Sequence, residues 1–313
     1  MLKRANVVLD RTGMLVVYVL LFAVLSWRVE NFLSWPNMVG LALSVSMVGM
    51  VACTMLFCMA SGDFDLSVEA VVAFSGVMAA VVVNRTGSVG MGLAAGVLSG
   101  GVVGLVNGFV IARVGINALI TTLASMQIAR GLGLIASDGS AVGVTNPSFF
   151  TLGNASPAGV PLPVWITLAC FVVFGVLLHR TRYGRYTLAI GGNREAARLS
   201  GIPVTRTRIT IFTVQGLVAG FAGVILASRM TSGQPNTSVG FSLDVISACV
   251  LGGVSLSGGL GTMLGVVVGV FIMGTVQNAM SLMNVPAFYQ YVVRGGILLL
   301  AVMFDQLRRR RRK

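Results

Sequence analysis

The sequence is poor in charge, and lysine, histidine and cysteine are nearly missing. Only 10% of its 313 residues are charged, against about 25% in soluble domains. The two lysines, Lys3 and Lys313, sit at the ends. A nucleotide-binding P-loop needs a Gly-Lys-Ser/Thr step whose lysine holds the β- and γ-phosphates, so the chain has no Walker-type ATPase site of its own. The single histidine, His179, lies in a basic stretch, isolated from any partner for a Ser-His-Asp triad or a zinc site. The four cysteines, Cys53, Cys58, Cys170 and Cys249, all fall in apolar runs. Cys53 and Cys58 are five apart on one expected helix, which suits neither a disulfide nor a metal pair; all four read as small hydrophobes. No catalytic set, metal site or cofactor site is expected, and the chain is not read as an enzyme. The apolar run from Met14 lacks a small-x-small cleavage site and reads as a retained span.

What is present in quantity is apolar surface and glycine. The chain is 56% hydrophobic with 40 glycines, and its mean hydropathy is +0.91. A bilayer core of about 30 Å takes about 20 apolar residues per helix. Such runs occupy 13–32, 38–60, 66–84, 89–112, 116–136, 162–179, 208–228, 241–256, 261–282 and 287–306. The expectation is an all-α polytopic membrane protein, one domain over 1–313, with about ten transmembrane helices, some broken or half-length. The glycines fit helices packed backbone to backbone.

The net charge of +13 is placed in loops and tails beside apolar spans, which argues for lipid head groups and cytoplasmic partners rather than nucleic acid. With the N-terminus in the cytoplasm, Lys3, Arg4, Arg11, Arg113, the arginines at 180, 182, 185, 194, 198, 206 and 208, and the 308–313 tail all fall inside. Only Arg28, Arg85, Arg130, Arg229 and Arg294 remain elsewhere. An even number of spans also returns the C-terminus to the cytoplasm. The polar, turn-rich segments 137–161 and 229–240 then face the other side.

The stretch from His179 to Thr207 is the one long polar segment with helix signals of its own. Asn193 is a good N-cap, and Glu195 sits in the first turn, where the dipole favours an anion. Gly201 is a natural C′ residue, and Pro203 stops continuation. A helix this short is marginal alone in water, so it wants a groove in a partner. The competing reading is a basic membrane-edge loop resting on anionic lipid.

Polar residues inside the spans are mostly amides and hydroxyls. Asn107, Asn117, Gln127, Gln277 and Asn278 could line a sugar path or bond neighbouring helices, worth about 0.6 kcal/mol each. Asp63, Asp65 and Glu69 cluster at a span junction, and Asp244 opens a later span. Acids at membrane depth face a cavity or a partner; placed at the interface they cap helices instead, as Asp65 with Ser67 would. A faint repeat relates 61–69 (Ser-Gly-Asp-Phe-Asp-Leu-Ser-Val-Glu) to 251–259 (Leu-Gly-Gly-Val-Ser-Leu-Ser-Gly-Gly).

These strings also carry a resemblance. The run 184–204 (Gly-Arg-Tyr-Thr-Leu-Ala-Ile-Gly-Gly-Asn-Arg-Glu-Ala-Ala-Arg-Leu-Ser-Gly-Ile-Pro-Val) resembles the cytoplasmic coupling segment of ribose/xylose/arabinose-type ABC importer permeases. Gly62-Asp63-Phe64-Asp65-Leu66-Ser67-Val68 is similar to their Gly-Ile-Asp-Leu-Ser-Val signature, and 105–108, 227–235 and 251–259 are similar too. The resemblance runs from about 13 to 306. Within the family, the strings at 61–68, 116–124 and 246–251 resemble the arabinose members. Glu69 departs from the pattern, standing where the family has a small residue. The resemblance implies a permease of the bacterial inner membrane, a homodimer with two ATPase domains, and a periplasmic sugar-binding protein. It gives the ATPase-coupling role to Gly191, Gly192, Asn193, Glu195, Ala196, Ala197, Gly201 and Pro203. Asp63, Asp65, Glu69, Asn107, Asn117, Gln127, Asp244, Gln277 and Asn278 are the candidates for the translocation path. The rival is an ion-coupled secondary sugar carrier with an acid as its proton or sodium site.

Overall fold

A computed structural model describes residues 2–310, and the side chains of 13–303 and Gln306. The basic side chains at both ends, Lys3, Arg4, Arg11 and 308–313, lie outside the described residues. The helices are α1 (Leu2–Arg28), α2 (Trp35–Ala60), α3 (Val68–Thr86), α4 (Val89–Phe109), α5 (Ala118–Ala136), α6 (Thr151–Asn154), α7 (Leu162–Arg180), α8 (Arg182–Gly192), α9 (Arg194–Leu199), α10 (Val204–Arg229), α11 (Phe241–Leu251), α12 (Met263–Leu282) and α13 (Ala287–Arg310). A π-helical turn, Val110–Val114, extends α4. Two short strands, β1 (Val142–Gly143) and β2 (Ser232–Gly233), pair antiparallel.

Among the described residues, seven helices, α2, α3, α4 with its π turn, α5, α7, α10 and α12, are long and apolar enough to cross a membrane. The apolar parts of α1 and α13 and the whole of α11 are shorter. The fold is therefore all-α and polytopic. The expected span at 241–256 is corrected: α11 stops at Leu251, where Gly252 and Gly253, the latter at φ +78°, turn the chain. Eleven residues rise about 16 Å, roughly half a bilayer core.

α2 is the axis. From Met50 to Ser61 every residue is buried, packed by α7, α10, α11 and α12. A helix apolar all round belongs in the interior.

Glycine sets how closely the others approach. Gly92, Gly96, Gly100, Gly104 and Gly108 recur every fourth residue of α4, on one face. A methyl group at Gly104 would meet the Phe212 carbonyl, one at Gly100 the Gly216 carbonyl, and one at Gly220 the Gly96 carbonyl at 3.0 Å. α3 joins the stack through Gly76, whose Cβ would fall 2.9 Å from the Gly223 carbonyl. Replacing Gly216 by Ala puts a methyl group into the α4 backbone, so we expect a loss of about 1–3 kcal/mol, read as a lower melting temperature in detergent. Gly40→Ala on α2, with nothing within 4 Å of the added carbon, should be neutral or slightly stabilising. Equal melting of the two variants would overturn the close-packing account.

Candidate functional site

The segments singled out in the sequence converge at one end of the bundle. α2 ends at Ala60 and the chain turns through Gly62 at φ +84°. The 251–259 segment, which faintly repeats 61–69, comes back against it: Gly259 N donates to the Ala60 carbonyl at 2.9 Å, and the Cβ position of Gly258 is 2.9 Å from Gly62 Cα. α8 closes the same node. A side chain at Gly191 would collide with the Ala60 carbonyl and with Gly259 N, and one at Gly259 would sit 2.9 Å from Gly192 Cα. Contact thus requires glycine at Gly191, whereas a carbon added at Gly192 would have nothing within 4 Å.

α9 follows without a break in the chain's turn. Asn193 Oδ1 accepts from Ala196 N at 2.9 Å, and Gly201 stands at φ +79°, as the cap signals imply. Ala197 is buried and its Ala196 neighbour exposed. Glu195 is exposed and receives Arg198 at 2.6 Å; the guanidinium holds its carboxyl below the usual range. Pro203 precedes α10. What the sequence missed is α8: residues 182–192 form a helix capped by Thr181 Oγ1, not a loop.

The three acids of 63–69 separate in space. Asp63 takes Arg208 of α10 in a two-pronged buried pair, 2.8 and 2.9 Å, and Arg194 of α9 at 3.5 Å. It therefore links the turn after α2 to α9 and α10. A cavity of about 360 Å³ opens beside it, lined by Gly62, Asp63, Ile111, Asn117, Arg194 and Arg208 among others. Asp65 opens α3 together with Ser67, which is the N-cap residue itself. It accepts from Ser67 N at 2.9 Å and Ser67 Oγ at 2.5 Å, an Asx turn leading into α3. Asn107 of α4 donates to the same Ser67 hydroxyl at 3.0 Å, and its own Oδ1 is buried without a partner.

Glu69, in the first turn of α3, receives Arg130 of α5 at 2.8 Å, Gly240 N at 3.0 Å and Ser242 Oγ at 3.0 Å. Arg130 stands twelve residues inside α5, about 18 Å from that helix's start. Asp244 of α11 receives Arg294 of α13 at 3.0 Å, and Gln277 of α12 lies near the same carboxylate. Arg130, Arg208 and Arg294 were not among the expected site residues. The signal was there: an arginine inside an apolar span demands an acid partner.

The other path candidates divide. Asn278 exchanges two bonds with Asn37, 2.8 and 3.1 Å, joining α12 to α2. Asn117 is the exposed N-cap of α5, its Oδ1 accepting from Leu119 N. Gln127 is exposed beside Ile128 on the outer face of α5. The two turn-rich segments are pinned together rather than free. Val142 and Gly143 pair with Gly233 and Ser232, Asn84 of α3 donates to the Gly143 carbonyl, and Ser228 of α10 donates to the Phe149 carbonyl.

Removing one member of the buried Asp63–Arg208 pair strands the other. Asp63→Asn should cost about 3–5 kcal/mol; the melting temperature in detergent should fall and largely recover in the double variant Asp63→Asn/Arg208→Met. No recovery would mean the pair is not what Asp63 contributes.

A family model described as "Branched-chain amino acid transport system / permease component" matches residues 37–302. The chain is similar to the L-arabinose transport system permease protein AraH of Escherichia coli K12, 60% identical over 97% of this chain and 93% of that protein. It is 57% identical to the L-arabinose ABC transporter permease protein AraH of Azospirillum brasilense, over 97% and 90% of the two chains. It is 38% identical to the ribose import permease protein RbsC of Bacillus subtilis 168, over 96% and 94%. No solved structure matches.

Proposed function

Because this chain belongs to the branched-chain amino acid transport system permease-component family, we propose that it is the membrane-spanning subunit of an ATP-driven importer of L-arabinose. The observation that carries the sugar is graded similarity: 60% and 57% identity to two arabinose permeases across nearly the whole chain, against 38% for a ribose permease. The family name speaks of amino acids, but the relatives matching end to end are sugar permeases. The chain sits in the bacterial inner membrane as a multi-pass protein. It is not itself an enzyme; hydrolysis is the work of a separate ABC ATPase, and a periplasmic sugar-binding protein delivers the substrate.

Finer points follow in the same reading. The protein works as a homodimer in the membrane. Both termini and 180–207 are cytoplasmic, and 137–161 is external. About ten segments cross or enter the membrane, the seven long helices with α1, α11 and α13. α8 and α9 are the coupling element, with Gly191, Gly192, Asn193, Glu195, Ala196, Ala197, Gly201 and Pro203 shaping it. This is supported by the exposed face of α9 and by the seating of α8 on the end of α2. The path runs along α11, with Glu69 on the side of α3 and Asp244 on the side of α13. Alternating access is a rocking of these helices when the ATPases close.

The rival secondary carrier needs an acid free to take a proton or an ion. Asp63, Glu69 and Asp244 are each matched by an arginine, which weakens that reading for these three; Asp65, bonded only by Ser67, is the acid left to it. In proteoliposomes holding the chain with its ATPase and binding protein, labelled L-arabinose uptake should stop without ATP and survive an uncoupler. Uptake by this chain alone on a proton or sodium gradient would give the case to the carrier. In the same vesicles, Glu195→Arg should lower sugar uptake per ATP hydrolysed while membrane abundance holds. An unchanged ratio would remove α9 from the coupling role.

A further inference from the structure

The segment between α10 and α11 is not a simple surface loop. At Gly233 a methyl group would fall 2.7 Å from Val77 Cα, midway along α3. Seven residues later, Gly240 N reaches Glu69 in the first turn of the same helix. From Val77 to Glu69 is about 12 Å of helix, so 233–240 runs down the side of α3 into the bundle. α11 begins there, and the amide and hydroxyl at its start, Gly240 N and Ser242 Oγ, both end on one carboxylate oxygen, Glu69 Oε2. The other oxygen holds Arg130. Glu69 is 6% exposed. The first turn of α3, the middle of α5 and the start of α11 are thereby tied to a single side chain. On its far side α11 is held once more, through Asp244 and Arg294 of α13.

We propose that Glu69 is a positioning residue that clamps the inward-running segment 233–240 and the N-terminus of α11 onto α3 and α5, and so sets whether that segment stands closed. This rests on the permease reading only for its meaning in transport; the clamp itself is a statement about structure. The ion pair alone would not do it. Arg130 neutralises Glu69, but the bonds that fix α11 need an acceptor at position 69, because both groups on the α11 side are donors. Charge-assisted bonds of this kind in a dry site are strong, and a buried donor left unpaired is costly.

The test labels a single cysteine at Thr237, which is half-buried and packs beside Val72 and Ala73 of α3, with a membrane-impermeant maleimide. The chain is assembled with its ATPase and binding protein in proteoliposomes, with the native cysteines replaced. Glu69→Met, which removes both acceptor oxygens, should raise the labelling rate on the order of tenfold, and Ser242→Ala several-fold, while Thr54→Cys, buried in α2, stays protected. The exchange Glu69→Arg/Arg130→Glu keeps both charges but leaves no acceptor for Gly240 and Ser242, so Thr237→Cys should still label fast. Wild-type protection in the exchange variant would assign the role to the ion pair and overturn the clamp. Wild-type rates in both Glu69→Met and Ser242→Ala would overturn it as well. Ser242→Ala strands no charge, so it decides the matter even if the exchange variant fails to insert. The labelling needs neither sugar nor ATP. Failure of arabinose uptake by the unsubstituted complex would count against the transport reading and leave the clamp standing.

Discussion

An ionised side chain inside an apolar slab has to find its counter-charge within the protein, because no water is there to solvate it. That constraint organises the interior of this chain. Each of the three pairs there joins elements far apart in sequence: Asp63 with Arg208, Glu69 with Arg130, Asp244 with Arg294. None of the pairs decorates a single helix. Together they fix the two places where regular helix gives way, the turn after α2 and the start of α11. Irregular backbone at depth survives only where protein groups take over its hydrogen bonds, and here carboxylates do so: Glu69 serves Gly240 N, and Asp65 serves Ser67 N.

Glycine makes such crossings possible. The α4 stripe lets α10 approach until carbonyls occupy the space of side chains, and this close pair forms a stiff wall against which α3 leans. At the other end, Gly62, Gly191, Gly258 and Gly259 let three chain segments touch at the end of α2. The faint repeat between 61–69 and 251–259 gains a physical sense from that contact. Both are glycine turns after a buried helix, and they face each other because neither carries the side chains that would keep them apart.

Much of this was legible in the sequence, for a definite reason. Long apolar runs and small-residue spacing are local, so the seven long helices could be placed to within a few residues. The α9 caps were equally local, and Asn193 and Gly201 sit as their chemistry dictates. Partner choice was not legible. Asp63, Asp65 and Glu69 are neighbours in sequence, yet their partners come from α9 and α10, from Ser67, and from α5 with α11. Asn278 looked like a path residue because an amide in a span is polar; Asn37, 241 positions away, already satisfies it. The expected span at 241–256 ran its apolar residues together across Gly252 and Gly253, where composition stays apolar while the backbone turns. α8 escaped because three glycines in eleven residues, Gly184, Gly191 and Gly192, argue against a helix, and its seat on α2 outweighs them.

The turn after α2 ties the exposed face of the chain to its interior. A displacement of α9 acts on Arg194, and Arg194 shares Asp63 with Arg208, buried in α10. α8 bears on the Ala60 carbonyl through Gly191 with no side chain between. A flexible surface loop would absorb a push; a backbone-to-backbone seat and a shared carboxylate pass it on. Asp63 is six residues from Glu69, and the Ser67 turn between them is itself held by Asp65 and Asn107. A shift at the end of α2 therefore reaches the first turn of α3 through ordered chain, and α11 is anchored to that turn. In the permease reading, the same short segment meets the ATPase's motion at one end and the closed segment at the other. This gives a physical reason for a stretch of nine residues to hold three acids with three different sets of partners.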